Sequence, residues 1–266
     1  MAQKGFEYEE NVATSLKKKK WVRPNYTPAG ASSDRPDLDI FINGKEYGCE
    51  LKKDLASAGS LVIHHLGNKK YDYGATDGEK EKEFLKGLGV NAGVMHAIQT
   101  KWKVEPFIQL ERDNKWIERV KKSKLKLRER YNHDLRSCPD IYFPLPSRTI
   151  SQYYNLKSTY YLNVATHGFY LLGNTDPAGL TREKFGVESV PLWDDCHTAV
   201  LRIRIQSKGV TNAAANEQAK GFPFAGGQGY QITMEIQFKS VKRSIYNIGP
   251  IIGKSPQIDE ARIKLP

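Results

Sequence analysis

The sequence predicts an α/β protein: a mixed central sheet flanked by helices, followed by a β-rich C-terminal elaboration. Three observations predict it. Residues 4–20 repeat apolar side chains at helical spacing, and two short alternating runs meet at Asn43-Gly44. Later runs at 200–205 and 230–239 alternate strictly between apolar and polar residues. Two parts are expected. Residues 1–137 hold the first helix, the hairpin and a basic helix, and residues 138–266 form a β-rich region packed on or extending them. At 266 residues the chain can form one large domain or a core with a substantial addition.

Composition narrows the function classes. Hydrophobic residues at 39% and 14 tyrosines exclude general disorder. No run approaches the roughly 18 apolar residues of a membrane span, and Met1-Ala-Gln-Lys-Gly5 lacks a signal-peptide core. A cytoplasmic location is the default expectation. Cys49, Cys138 and Cys196 are scattered, with no Cys-x-x-Cys pair, so reduced thiols are expected rather than structural zinc. A formal net charge of +11 draws polyanions, which makes nucleic acid the expected partner.

In the first helix Phe6, Glu9, Val12, Ala13 and Leu16 share one face. Glu9 is the anomaly in that stripe. A buried carboxylate needs a cation or metal beside it; at the rim of the stripe it would simply be solvated. Lys17 to Lys20 close the helix where cations suit its dipole. Residues 23–36, with three prolines, form a loop into the hairpin. Asn43-Gly44 is the turn, since a type I′ turn needs positive φ at both positions. Alternation puts Asp37 and Asp39 on one face and Leu38, Ile40 and Ile42 on the other. On the second strand Glu50 and Lys52 share a face, with Leu51 opposite.

Leu61 to His65 reads as a third strand, on which His64 and His65 face opposite ways and make no metal pair. A short helix at 77–88 and a strand at 104–110 follow. Residues 113–136 read as a basic helix with an apolar stripe of Trp116, Val120, Leu127, Tyr131 and Leu135. Between 115 and 130, Lys115, Arg119, Lys121, Lys122, Lys124, Lys126, Arg128 and Arg130 crowd the rest, against only Glu118 and Glu129. A solvated helix mixes signs. This imbalance points to phosphate contact by Arg119, Lys121, Lys122, Lys124, Lys126 and Arg128, with Lys53 as a further candidate. A proline-rich join at 138–146 leads to apolar runs at 160–165 and 168–172. Residues 207–229 are a long connection rich in Gly, Ala, Asn and Gln. Asp194 to His197 carries metal-competent side chains, but adjacency gives poor ligand geometry.

The hairpin therefore gathers carboxylates and one ammonium at its open end. Hard divalent cations prefer such oxygen ligands. Phosphodiester hydrolysis needs an activated water, neutralised transition-state charge and help for the leaving oxygen, all of which bound Mg²⁺ supplies.

Pro36-Asp37 followed by Glu50-Leu51-Lys52 resembles the PD and ExK elements of the PD-(D/E)xK nuclease superfamily. Lys4-Gly5 before Glu9, with Asn43-Gly44 between the motif strands, resembles the archaeal-type Holliday junction resolvase branch. The resemblance spans roughly residues 4–55. It implies a restriction-endonuclease-like core in which Asp37 and Glu50 bind Mg²⁺, Mn²⁺ substituting, with the Leu51 carbonyl as a further ligand. It also implies that Lys52 serves the nucleophilic water and that Glu9 supports the metal. Asp39 rivals Asp37, since both face one side. The chain departs from the compact resolvases in size, which fits a restriction-type or phage-type endonuclease on double-stranded DNA, working as a homodimer by analogy. Two alternatives stand beside it: a structure-specific junction resolvase, and a non-catalytic basic nucleic-acid-binding protein with a degenerate nuclease fold.

Overall fold

The structure, a computed structural model, describes residues 2–26, 35–55, 57–108, 125–208, 229–249 and 264. The chain divides into two compact units that interleave along the sequence. The first comprises 1–58, 145–199 and 238–266, the second 59–144 and 200–237. The expected boundary at 137/138 does not coincide with this division. Among the described residues no helix is long and apolar enough to cross a membrane.

The first unit is built on a four-stranded mixed sheet in the order β1-β2-β6-β7. Its strands are β1 (Leu38–Ile42), β2 (Lys45–Lys52), β6 (Thr159–Val164) and β7 (Gly168–Leu171). β1 and β2 are antiparallel, from Leu38 opposite Cys49 to Ile42 opposite Lys45, and Asn43 and Gly44 have φ of 50° and 80°, as a two-residue hairpin turn requires. β6 pairs in parallel with β2, and β7 returns antiparallel to β6. Parallel neighbours need a long crossover; here it contains the whole 59–144 segment of the second unit. Helix α1 (Ala2–Lys18) covers the sheet with Tyr8, Val12, Ala13 and Leu16. This differs from the expected stripe, because Phe6 is 38% exposed while Tyr8 is buried. Shifting the stripe to Tyr8 leaves Glu9 beside the apolar face, half-buried.

Gly48 marks a register shift between β2 and β6. A Cβ there would lie 2.7 Å from the Ser158 carbonyl oxygen and 2.9 Å from Cγ of Pro36. Only a glycine lets Pro36 lie against β2, and Pro36 sets where Asp37 begins.

The second unit carries a five-stranded sheet in the order β4-β3-β9-β8-β5. These strands are β3 (Ser57–Gly67), β4 (Lys70–Tyr73), β5 (Ile141–Leu145), β8 (His197–Lys208) and β9 (Gly229–Val241). The expected alternation holds: Leu201, Ile203 and Ile205 are buried, as are Ile232, Met234 and Ile236. Arg202 and Arg204 turn the other way and flank Glu235, with nitrogen–oxygen distances of 3.5 and 3.0 Å. Helices α2 (Lys80–Asn91) and α3 (Val94–Lys101) follow β4. The strand expected at 104–110 is absent from 104–108, and 109–110 lie outside the described residues.

Residues 125 and 126, inside the expected basic helix, are not helical. Helix α4 spans Leu127–Ser137, and residues 113–124 of the expected helix lie outside the described residues. Its inner side is charged rather than apolar. Arg130 and Asp134 are buried while Leu135 is 45% exposed. Asp134 accepts the N–H groups of Phe107 and Ile108 at 2.8 and 3.0 Å and the Tyr230 hydroxyl at 2.8 Å. A carboxylate there satisfies loop backbone that a leucine would leave unpaired. Helices α5 (Thr149–Asn155), α6 (Leu180–Phe185) and α7 (Trp193–Cys196) belong to the first unit.

Gly48→Ala is expected to lower unfolding free energy by about 1–3 kcal/mol, because backbone and a proline ring block the new methyl. Gly87→Ala within α2, where nothing lies within 4 Å of the added Cβ, should instead raise stability by about 0.5–1 kcal/mol. Urea denaturation of both variants checks the contrast.

Candidate active site

The β1–β2 ladder ends at Leu38 and Cys49. One residue further, Asp37 completes it with its side chain: Oδ2 accepts the Leu51 N–H at 2.9 Å. The Asp37 carbonyl in turn accepts the Tyr26 hydroxyl at 2.9 Å, so the loop before β1 is pinned as well. Glu50 and Lys52 project from β2 toward the same point. Lys52 Nζ lies 3.9 Å from Asp37 Oδ2 and forms an ion pair with Glu50 Oε1. Glu50 is only 3% exposed, because β2 is an interior strand with β1 and β6 on its two sides. Glu9 reaches the group from α1, within electrostatic range of Lys52 and Glu50.

Three carboxylates thus share one ammonium. The second oxygens of Glu9 and Glu50 are buried and have no hydrogen-bond partner among the described residues. Leaving such acceptors unpaired costs free energy. Burial first, then the Glu50 charge, pushes the Asp37 carboxyl up to about 7, against the pull of Lys52 and the Leu51 N–H. Glu9 is raised by burial and by Glu50. Burial works against the Lys52 ammonium, but Glu50, Tyr154 and Asp37 outweigh it and hold its pKa well above the usual lysine value. Lys52 is therefore a fixed cation here.

The Leu51 carbonyl is also placed. The Lys52 carbonyl accepts the Ala165 N–H at 2.8 Å on the β6 side. Successive carbonyls of a strand point to opposite sides, so that of Leu51 points toward Asp37, on the side where its own N–H bonds Oδ2. Asp37, Glu50 and this carbonyl are hard oxygen donors suited to a divalent cation. Among the described residues there is no group of three or more His, Cys, Asp or Glu side chains arranged to hold a metal. A cation at this point would be held by Asp37, Glu50 and the Leu51 carbonyl, and the Glu50 Oε2, without a hydrogen-bond partner among the described residues, fits such a ligand.

Asp39 is not drawn into this cluster. It lies opposite Gly48, and its electrostatic neighbours are Glu46 and Arg35. Lys53 is partly exposed beyond the end of β2. Lys126 caps α4, its N–H donating to Glu129 at 2.7 Å, and Arg128 is exposed on the first turn. Arg119, Lys121, Lys122 and Lys124 lie outside the described residues. Asp194 accepts from the Ser151 hydroxyl, and buried His197 bonds the Trp193 carbonyl through Nδ1 at 2.6 Å. That pair serves packing.

Two contributors escape sequence reading. Tyr154 on α5 is fully buried, its hydroxyl has no hydrogen-bond partner among the described residues, and it lies within electrostatic range of Glu50, Lys52 and Asp37. Asn163 on β6 donates to the Tyr8 hydroxyl at 2.7 Å and accepts the Ile248 N–H at 3.3 Å, locking α1 over the sheet. Nothing in local periodicity marks either one, since their neighbours come from distant segments.

No family model matches the chain, and no curated protein matches it. Among solved structures, HhaI endonuclease in complex with DNA is similar at 13% identity and a TM-score of 0.38, over 97% of this chain and 98% of that one. A likeness that distant transfers no residue roles.

The raised Asp37 pKa fixes a sign for pH dependence. Below about pH 4 the carboxyl is protonated in both folded and unfolded chains. As pH rises the unfolded chain loses the proton first, so stability present at low pH is lost up to about pH 7. Metal-free protein should lose stability across that window, and Asp37→Asn should flatten the slope. Urea midpoints measured from pH 4 to 8 for both proteins test this; parallel slopes would count against a raised Asp37.

Proposed function

We propose that this chain is a Mg²⁺-dependent endonuclease that hydrolyses phosphodiester bonds of double-stranded DNA. The observation that carries the reading is the cluster at the open end of the β1–β2 hairpin. Asp37, Glu50 and Lys52 meet there, and buried oxygens of Glu50 and the adjacent Glu9 have no hydrogen-bond partner among the described residues. Interior strands do not bury carboxylates without a counter-charge, and one lysine does not balance three acids.

In this reading Asp37, Glu50 and the Leu51 carbonyl hold the cation. When bound, Mg²⁺ supplies a more acidic water and offsets charge on the phosphoryl oxygens. The chain's own residues do the rest. Lys52, kept protonated by its carboxylate neighbours, orients the attacking water through its N–H donors and faces the charge that builds on the phosphate. Glu9 adds negative charge behind the site and holds it through solvent or the cation. Tyr154 closes the site on the α5 side and keeps its dielectric low. The net charge of +11 brings the polyanionic substrate to it. Two such sites in a homodimer would cut both strands.

With Mg²⁺, the protein is expected to cleave duplex DNA, and EDTA to stop it. Asp37→Ala and Lys52→Ala should each lower the rate by on the order of 10²–10³-fold while DNA binding persists. Cleavage insensitive to both changes would remove the site assignment. Binding without any cleavage, on duplexes, four-way junctions, single strands or RNA, would leave only a DNA- or RNA-binding protein. Reversing three charges among Lys121, Lys122, Lys124 and Lys126 should weaken binding and flatten its salt dependence by about 0.9 per lost contact. Titration of labelled duplex at several salt concentrations reads this directly.

A further inference from the structure

One patch beside the hairpin is not used by that reading. The β6–β7 turn, residues 165–167, begins where β2 ends. Lys52 is the register partner of Val164, and the Ala165 N–H donates to the Lys52 carbonyl at 2.8 Å. On its other side the turn is bound to residues 242–246. The Ser244 N–H donates to the His167 carbonyl at 2.8 Å and the Phe169 N–H to the Tyr246 carbonyl at 2.7 Å. The Tyr170 hydroxyl lies 2.8 Å from the carbonyls of both His167 and Lys242 and accepts the Ser244 N–H at 3.1 Å. Gly168, at φ +109°, permits this approach, since a Cβ would fall 2.6 Å from the Ser244 oxygen and 2.7 Å from that of Tyr246.

These bonds bring Arg243 beside His167. Arg243 is partly exposed, yet its Nη1 is buried with no hydrogen-bond partner among the described residues. His167 is half-buried, with Nδ1 2.8 Å from the Thr166 hydroxyl. Burial and then the Arg243 charge depress the His167 pKa, and the exposed Asp54 carboxylate opposes them. A guanidinium whose Nη1 is buried without a hydrogen-bond partner among the described residues, beside an imidazole whose lowered pKa favours the neutral form, can take up an anion. A fixed network of backbone bonds holds it there, at the same end of the sheet as Lys52.

We propose that Arg243, with His167 and Thr166, forms a seat for one backbone phosphate of the nucleic-acid strand lying across the hairpin. The identity of the ligand rests on the nuclease reading above; the capacity to take up an anion does not. Two strand spacings separate the seat from β2, roughly 10 Å. At about 3.4 Å of rise per nucleotide, that is roughly two or three phosphates from the one cut. The contact would be to phosphate alone and so independent of base sequence.

The full chain is tested in EDTA, where nothing is cut, by fluorescence anisotropy with a labelled 24-base-pair duplex (length of order 24, to cover the site) over a range of KCl. R243Q is expected to weaken binding about 3- to 10-fold, equally on unrelated sequences, and to reduce the salt slope by about 0.9. K45Q, at the closed end of the hairpin, should bind as the parent does. Duplexes with a single methylphosphonate stepped along one strand should bind the parent protein more weakly at one position near the cut; R243Q should be indifferent at that position alone. If R243Q does not fold, H167E decides, since its side chain carries no backbone bond of the turn. Its added carboxylate should lower affinity about tenfold. Parental affinity and slope in folded R243Q, or in H167E, would overturn the seat while leaving the nuclease reading intact. A parent that binds no duplex would overturn both.

Discussion

The parallel pairing of β2 with β6 is the constraint on which the site depends. It makes β2 an interior strand, so Glu50 is covered from both sides and its charge cannot be solvated. In that setting the ion pair with Lys52 is the required partner, and Asp37, held at the ladder end by the Leu51 N–H, adds a second carboxylate that the Glu50 charge disfavours. Had β2 been an edge strand, the same residues would be a solvated acidic rim with ordinary acidities.

The electrostatic consequence is an imbalance that the protein retains. One ammonium faces Glu9, Asp37 and Glu50, and burial, then the Glu50 charge, holds Asp37 up to about 7. Backbone geometry completes the arrangement: the Leu51 N–H secures Asp37 while the adjacent carbonyl faces the same gap. The energetic cost of burying acceptors without partners among the described residues is tolerated because neighbouring packing over-determines their positions. Tyr8 with Asn163 fixes α1, and Tyr26 fixes the loop before β1.

Close backbone approach recurs where position matters. Gly48 admits Pro36 and Ser158 to β2, and Gly168 admits the 244–246 segment to the β6–β7 turn. In both places a polar side chain of interest, Asp37 or Arg243, lies one position from the approaching residue. The second unit shows the converse, with Asp134 solving a backbone problem in a place where an apolar residue was expected. Local periodicity cannot anticipate such a residue, because the need arises from the loop at 107–108.

Much of the local structure was determined by the sequence itself. The Asn43-Gly44 turn followed from its tolerance of positive φ, and the alternation in β8 and β9 from a period that only strands satisfy. The first helix was legible as a helix, and Val12, Ala13 and Leu16 of its expected stripe are buried, but the residue that anchors its N-terminal end was not legible. Phe6 and Tyr8 are equally eligible until Asn163 arrives to bond the tyrosine hydroxyl. Asp37 and Asp39 were likewise equivalent by pleat alone; the end of the ladder at Leu38 separates them, since only a residue beyond it can accept the Leu51 N–H. Periodicity is a property of neighbours in the chain, so it fixed turns, strands and the candidate acids. Burial of Glu50, the placement of Tyr154 and the seating of Arg243 depend on which distant strand lies alongside, and only the tertiary structure decided that.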